Sequence, residues 1–178
     1  MFSPALDLRS AELWLDRLRV LVLSAGGAFL AVILDAYSRR VIGWALDREM
    51  EDSLTLTALR MALSRRAVEP GLVHHSDRGS QYASNDYTDL LKAQGIGISM
   101  SRKGNPWDNA ACESFMKTLK YEEVLRNEYR DLAEARASIR EFLEKIYNKK
   151  RLHSALGYMP PARFERHQKD AAARQLSV

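Results

Sequence analysis

Apolar and polar positions fall in blocks along this chain, and the blocks predict an ordered succession of strands and helices. Phe29 to Leu34 is a continuous apolar run, as a strand buried on both faces requires. Asp35-Ala36-Tyr37-Ser38-Arg39 reads as a tight connection, and Arg40 to Leu46 as a strand leading back. Leu18 to Leu23 is the candidate for a strand ahead of both, joined through Ser24-Ala25-Gly26-Gly27. Asp52 or Ser53 is expected to cap a helix through Leu54, Leu56, Leu59, Met61 and Leu63, stopped by Pro70-Gly71. Leu72 to Ser76 is then a short strand ending at Asp77. Ser84 or Asn85 is expected to cap the next helix, which carries Tyr87, Leu90 and Leu91 and ends at Gly95. Ile96, Ile98 and Met100 alternate as a strand should, and Ser101 to Pro106 is a polar loop. Asp108 or Asn109 starts a long helix through Phe115, Met116 and Leu119. A last helix shows Leu132, Ala135, Ile139, Phe142, Leu143 and Ile146 at three- and four-residue spacing.

Strands joined by short turns pair antiparallel, whereas strands separated by a helix need crossovers and lie parallel. The predicted order therefore gives an α/β protein with one mixed, five-stranded sheet and helices on its faces. At 178 residues the chain fits one domain with a real core, and its hydrophobic fraction of 46% excludes a disordered class. No apolar run reaches the roughly 18 residues that span a bilayer. Met1 to Arg9 lack the features of a signal peptide, so a cytoplasmic protein is expected.

Charge changes the picture only through its distribution. Residues 1–101 hold 11 Lys+Arg against 12 Asp+Glu, while residues 102–178 hold 16 against 11. The basic excess lies in the second half, as in a nucleic-acid-binding face or a solvated helical one. The one cysteine, Cys112, cannot form an internal disulfide and reads as a small apolar residue. His74 and His75, adjacent on a strand, point to opposite faces and do not suit joint metal ligation.

The chemistry concentrates around two acids. Asp77 lies in Val73-His74-His75-Ser76-Asp77-Arg78-Gly79-Ser80-Gln81-Tyr82, and Glu113 in Gly104-Asn105-Pro106-Trp107-Asp108-Asn109-Ala110-Ala111-Cys112-Glu113-Ser114-Phe115. Thirty-five residues separate them, and Lys120 follows the glutamate by seven. These contexts, this gap and Lys120 together resemble the second and third acids of the DDE transposases and retroviral-type integrases. The resemblance is to insertion-sequence transposases whose catalytic subunit comes from a second open reading frame, and it runs from about Phe29 to Phe164.

It implies a ribonuclease-H-like core, here residues 14–150, with residues 1–13 a poorly matching tail and 151–178 an extension packing on the core. It implies DNA strand cleavage and strand transfer in transposition, with two Mg²⁺ ions, for which Mn²⁺ substitutes. Two such ions roughly 3.5–4 Å apart activate the attacking oxygen and stabilise the leaving one. Mg²⁺ prefers hard oxygen donors, so carboxylates from separate elements fit the demand. Asp77 and Glu113 are the expected catalytic and metal-binding residues. Lys117 and Lys120, one and two turns along the helix from Glu113, suit phosphate contacts, with Arg102 and Lys103 in the preceding loop as further DNA contacts. The implied partners are DNA (element ends and target), further copies of the chain on that DNA, and a helix-turn-helix partner protein from the same element. Nucleoid association would follow from DNA binding.

Blander readings stand beside these. Asp77 before Arg78-Gly79 is also an ordinary turn residue, Glu113 with Lys117 a surface ion pair, and Trp107 a core aromatic. His153, within the segment Tyr147 to Tyr158, reads as a residue holding the chain end onto the core. The third acid departs from the family's text, which follows a tryptophan by three residues with an aspartate before Ile-Thr-Tyr. Three beyond Trp14 stands Arg17, and Asp16 is one place off. Asp16 is the candidate catalytic and metal-binding first acid if a bulge re-aims it, because a one-residue slip reverses the face. Residues 1 to about 27 match the family poorly, as a shifted reading frame or decay would leave them. The rival function is a non-catalytic remnant that binds DNA or a partner weakly. A free-standing nuclease of the same fold would not predict Lys120 or the Tyr147-to-Tyr158 segment.

Overall fold

The computed structural model describes the backbone of residues 13–16, 27–76, 85–100 and 110–175, and the side chains of residues 27–75, 85–99 and 114–175. Five strands form one mixed sheet: β1 (Leu13–Asp16), β2 (Phe29–Asp35), β3 (Val41–Asp47), β4 (Val73–Ser76) and β5 (Gly97–Met100). Their spatial order is β3-β2-β1-β4-β5. The hairpin-linked β2 lies antiparallel to β1 and β3, whereas β4 lies parallel to β1 and β5. The crossovers run through α1 (Asp52–Arg65) and α2 (Asn85–Ala93). This is the expected α/β, ribonuclease-H-like sheet flanked by helices.

The first strand starts earlier than the apolar pattern suggested. The described β1 is Leu13–Asp16, held between two partners by Trp14↔Asp35 on one side and Trp14↔His74 on the other. The expected strand Leu18 to Leu23 lies outside the described residues. Pairing with both neighbours, rather than the local apolar run, sets where the central strand begins.

Each face of the sheet buries its own apolar cluster. Leu30, Val32, Leu34 and Trp44 pack with α3 (Ala110–Glu122) and α4 (Leu132–Glu141) through Phe115, Leu119, Ile139 and Phe142. Ala31, Ile33, Ile42 and Ala45 pack with α1 and α2 through Leu54, Ala58, Leu59, Tyr87 and Leu91. Alternation along β2 assigns successive residues to opposite clusters. Gly43 permits the close approach of α1, since a Cβ there would sit 2.2 Å from the Ala58 carbonyl oxygen.

Two details of α1 differ from expectation. Its N-cap is Glu51, with no side-chain capping bond, so neither Asp52 nor Ser53 caps it. The helix stops at Arg65, ahead of Pro70-Gly71, because Arg66 turns to extended backbone and carries its guanidinium to Asp35 and Glu165. Beyond α4 the helix widens into a π turn, Phe142–Tyr147. Asn148 closes it against β3, accepting from the Val41 N–H and donating to the Val41 carbonyl, both at 2.9 Å. A further helix, α5 (Pro161–Gln175), follows.

Candidate active site and the cleft beside it

Two of the three candidate acids fall on described elements, β1 and α3. Asp77 directly follows β4 in sequence and lies outside the described residues, as do Arg102, Lys103 and Trp107. Glu113 lies in the first turn of α3 and Asp16 in β1, each described as backbone only. The register constrains Asp16 further. Position 16 pairs with Ile33, which belongs to the α1–α2 cluster, whereas position 15 pairs with Leu34, in the α3–α4 cluster. Position 16 thus shares a backbone row with a residue of the α1–α2 cluster, and α3 packs in the other cluster through Phe115 and Leu119. Carried one residue past Leu15↔His75, the parallel pairing sets Asp16 level with Ser76, the residue before Asp77.

Along α3, Phe115 and Leu119 are buried, while Lys117 and Lys120 are exposed. Lys120 also stands in the last turn, where a cation is favoured by the helix carbonyls. Among the described residues, no group of three His, Cys, Asp or Glu side chains is placed to hold a metal. His74 and His75 diverge as expected: His74 is buried against Tyr87, 3.2 Å from its hydroxyl, and His75 lies 3.1 Å from Ser99 Oγ.

A cleft of about 470 Å³ opens next to Glu113 in sequence. It is lined by Ser114, Phe115 and Thr118 of α3, by Tyr147, by Arg151 to Ala155 with Tyr158, and by Arg39 from the β2–β3 hairpin. Its floor is aromatic: Phe115 meets Tyr147 edge-on at 5.0 Å, and Tyr147 meets His153 likewise at 5.0 Å. His153 also donates its backbone N–H to Met159 and accepts at its carbonyl from Leu156 and Tyr158. The structural role expected for His153 is thus present in its contacts. Burial, then Arg151 and Arg39, push its imidazole down to about 4, against the pull of Glu122. It is therefore neutral at pH 7. Arg151 is held by both oxygens of Glu122 at 3.0–3.1 Å.

The opposite use of charge appears where α5 docks. Asp35 is buried, accepts from the Tyr37 and Ser38 N–H groups at 2.8 and 2.9 Å, and pairs with Arg66. Glu165 accepts from Ser38 Oγ at 2.8 Å and from Arg40 at 2.6 Å, and also pairs with Arg66. Burial alone would raise the Glu165 carboxyl, but Arg66, Ser38 and Arg40 outweigh it and hold it below the usual range.

Sequence reasoning did not single out this clamp or Arg39, Ser114, Thr118 and Tyr158 as cleft residues. The Tyr147-to-Tyr158 segment was a signal for the cleft. Arg39 carried none, since it reaches the cleft from another element.

The fold is ribonuclease-H-like. The chain belongs to the integrase core domain family, matching it over residues 12–106 and again over residues 94–161. The match thus begins upstream of Phe29 and includes β1. Its relatives place it among the insertion-sequence DDE transposases. It is 40% identical over 156 residues to the transposase for insertion sequence element IS904 of Lactococcus lactis subsp. lactis (strain IL1403), covering 88% of this chain and 62% of that protein. It is 39% identical over 152 residues to transposase InsF for insertion sequence IS3A of Escherichia coli (strain K12), covering 85% and 53%. The chain thus spans a little over half the length of these relatives. Among solved structures, the catalytic core of BIV integrase superposes with a TM-score of 0.63 at 19% identity, covering 91% of this chain and 98% of that one. The HTLV-2 integrase catalytic core in complex with magnesium gives 0.62 at 13% identity, covering 86% and 95%. These likenesses carry the fold.

Proposed function

We propose that this chain is the catalytic core of an insertion-sequence transposase, acting on DNA in transposition. Its chemistry would be cleavage of a DNA strand at the element end and joining of the free 3′ hydroxyl to target DNA. The observation that carries this reading is the family match joined to topology: β4 ends one residue before Asp77, and α3 begins three residues before Glu113.

Asp77 and Glu113 are hard oxygen donors on separate elements, a donor set that fits Mg²⁺. When bound, two such ions would supply Lewis-acid activation of the attacking oxygen and charge neutralisation at phosphorus. The chain's own part would be to fix the carboxylates and hold the DNA. Lys117 and Lys120, exposed on α3, would contact phosphates together with Arg102 and Lys103, which precede α3 in sequence. Such contacts position DNA without reading its sequence. Mn²⁺ would replace Mg²⁺ as another oxygen-binding ion. Element-end recognition would come from a helix-turn-helix region or partner, with several copies assembling on DNA in the cytoplasm.

A second reading, a core that folds and binds DNA but does not cut, is supported by one observation. Position 16 shares the row of Ile33, in the α1–α2 cluster, rather than that of Leu34, in the α3–α4 cluster. Arg17 then stands where the family carries its first aspartate, bringing positive charge that opposes a divalent cation.

An Mg²⁺-dependent strand-transfer assay on labelled element-end DNA tests both readings. If Asp16 is a ligand, the chain is active and Asp16→Asn abolishes joining. If Arg17 blocks the site, the chain is inert and Arg17→Asp restores joining, which Asp77→Asn or Glu113→Gln then removes. Cleavage that survives Asp16→Asn, Asp77→Asn and Glu113→Gln would overturn the assignment of the acids.

A further inference from the structure

Arg39 and Tyr158 have backbone φ values of 60° and 58°, and among the described residues no other non-glycine residue has positive φ. For a residue with a Cβ the left-handed region costs roughly 1–2 kcal/mol. Such strain persists where the surroundings over-determine it, and it gathers at ligand sites. Arg39 is at the β2–β3 hairpin and Tyr158 is more than a hundred residues away in sequence, yet both line the same cleft.

The lining has a definite chemistry. Among the described residues, Arg39 and Arg151 are its charged groups and no carboxylate lines it. Glu122 holds Arg151, whereas no carboxylate among the described residues bonds Arg39. Ser114, Thr118 and Ser154 add hydroxyls. Tyr158 is 72% exposed, a large aromatic left in water by a backbone conformation that itself costs energy. A flat ring, a cation that no described carboxylate bonds and several hydroxyls in one lining suit a ligand that is planar and apolar in one part and anionic in another. The volume of about 470 Å³ lies within the range of small-ligand sites, about 300–1,000 Å³.

We propose that this cleft receives a single unstacked nucleotide of the DNA substrate, its base against the Tyr158 ring and its phosphate at Arg39. The inference rests on the transposase reading, because Ser114 follows Glu113 directly and DNA brought to α3 would pass the cleft mouth. Every base has a π face, so stacking on Tyr158 would capture an unpaired base of any sequence. The neutral His153 leaves the floor uncharged and concentrates the positive charge at Arg39 and Arg151.

Binding, rather than cleavage, tests this, so an inert catalytic centre does not interfere. A fluorescein-labelled duplex with a single-stranded extension is compared with the same duplex fully paired, by anisotropy across a salt series. A second pair of probes carries 2-aminopurine in the extension. Asparagine tolerates positive φ, so Tyr158→Asn and Arg39→Asn remove the side chains without distorting the backbone. Tyr158→Asn should weaken binding to the extended duplex about tenfold, a loss typical of one stacked base, and should abolish 2-aminopurine quenching. Tyr158→Phe should retain both. Arg39→Asn should flatten the salt dependence for the extension by about 0.7. Tyr158→Asn protein that binds both DNAs like wild type would overturn the cleft while leaving the transposase reading intact. So would a change of sedimentation coefficient with DNA affinity unaltered, which would make Tyr158 a contact between copies. Wild-type protein that binds no DNA would overturn both.

Discussion

Arg39 and Arg40 are consecutive residues of one hairpin, yet they enter opposite electrostatic situations. Arg40 turns toward α5 and shares Glu165 with Arg66, so its charge is spent inside the protein. Arg39 enters the cleft beside α3, where no described carboxylate meets it. A partly buried guanidinium matched by carboxylates is structural, because removing one partner strands the other without water. A guanidinium with no internal partner is available to an anion from outside. The same residue type therefore holds the chain end in one place and offers a binding group in the other, and only the company of carboxylates separates the two.

The largest expected effect breaks the clamp. Glu165→Ala leaves Arg66 and Arg40 without their shared carboxylate, and a loss of about 3 kcal/mol is expected from breaking a largely buried pair. Urea denaturation should read this as a lower midpoint at constant slope. Arg39→Asn, one residue from Arg40, should leave the midpoint unchanged or raise it. Equal destabilisation by both variants would erase the distinction between the two arginines.

Acid titration sharpens it. Glu165 has its folded pKa depressed, so its contribution is present above the ordinary carboxylate range and fades as pH falls through the lower folded value. His153 is depressed from 6.5 to about 4, so the folded state binds its proton less readily than the unfolded one. Its contribution is complete above pH 6.5, declines as pH falls, and is gone below about 4. His153→Gln should flatten stability between pH 6.5 and 4 and leave the more acidic Glu165 limb in place. A denaturation series in buffers spanning acid to neutral pH reads the two limbs.

The smallest effect is at Lys120. If it contacts phosphate, Lys120→Ala should reduce the salt slope for duplex DNA by about one unit without altering stability. An unchanged slope would return it to a helix-end cation.

The order of strands and helices was legible in the sequence because each element announces itself locally. The apolar run Phe29 to Leu34 and the Leu72 to Ser76 strand fall within a residue or so of β2 and β4. Asp77 and Glu113 stood out as candidate acids because their contexts are unbroken stretches of chain. The start of β1 was not, since its limits are set by pairing with Asp35 and His74, far off in sequence. Nor was the end of α1, where Arg66 leaves the helix for carboxylates on β2 and α5.

The sequence by itself determined the family, the mixed sheet and the residue types available for metal and phosphate, because these depend on composition, periodicity and contiguous motifs. Tertiary structure decided which side chains are spent and which are available. Asp35 is consumed by Arg66 and two backbone N–H groups, and Glu165 by two arginines and a serine. Arg39 and Tyr158, more than a hundred residues apart, line one cleft in left-handed backbone that no local pattern favours. Register likewise set position 16 in the Ile33 row, because a ladder of hydrogen bonds with two neighbours fixes a strand's faces more strongly than its own four residues do.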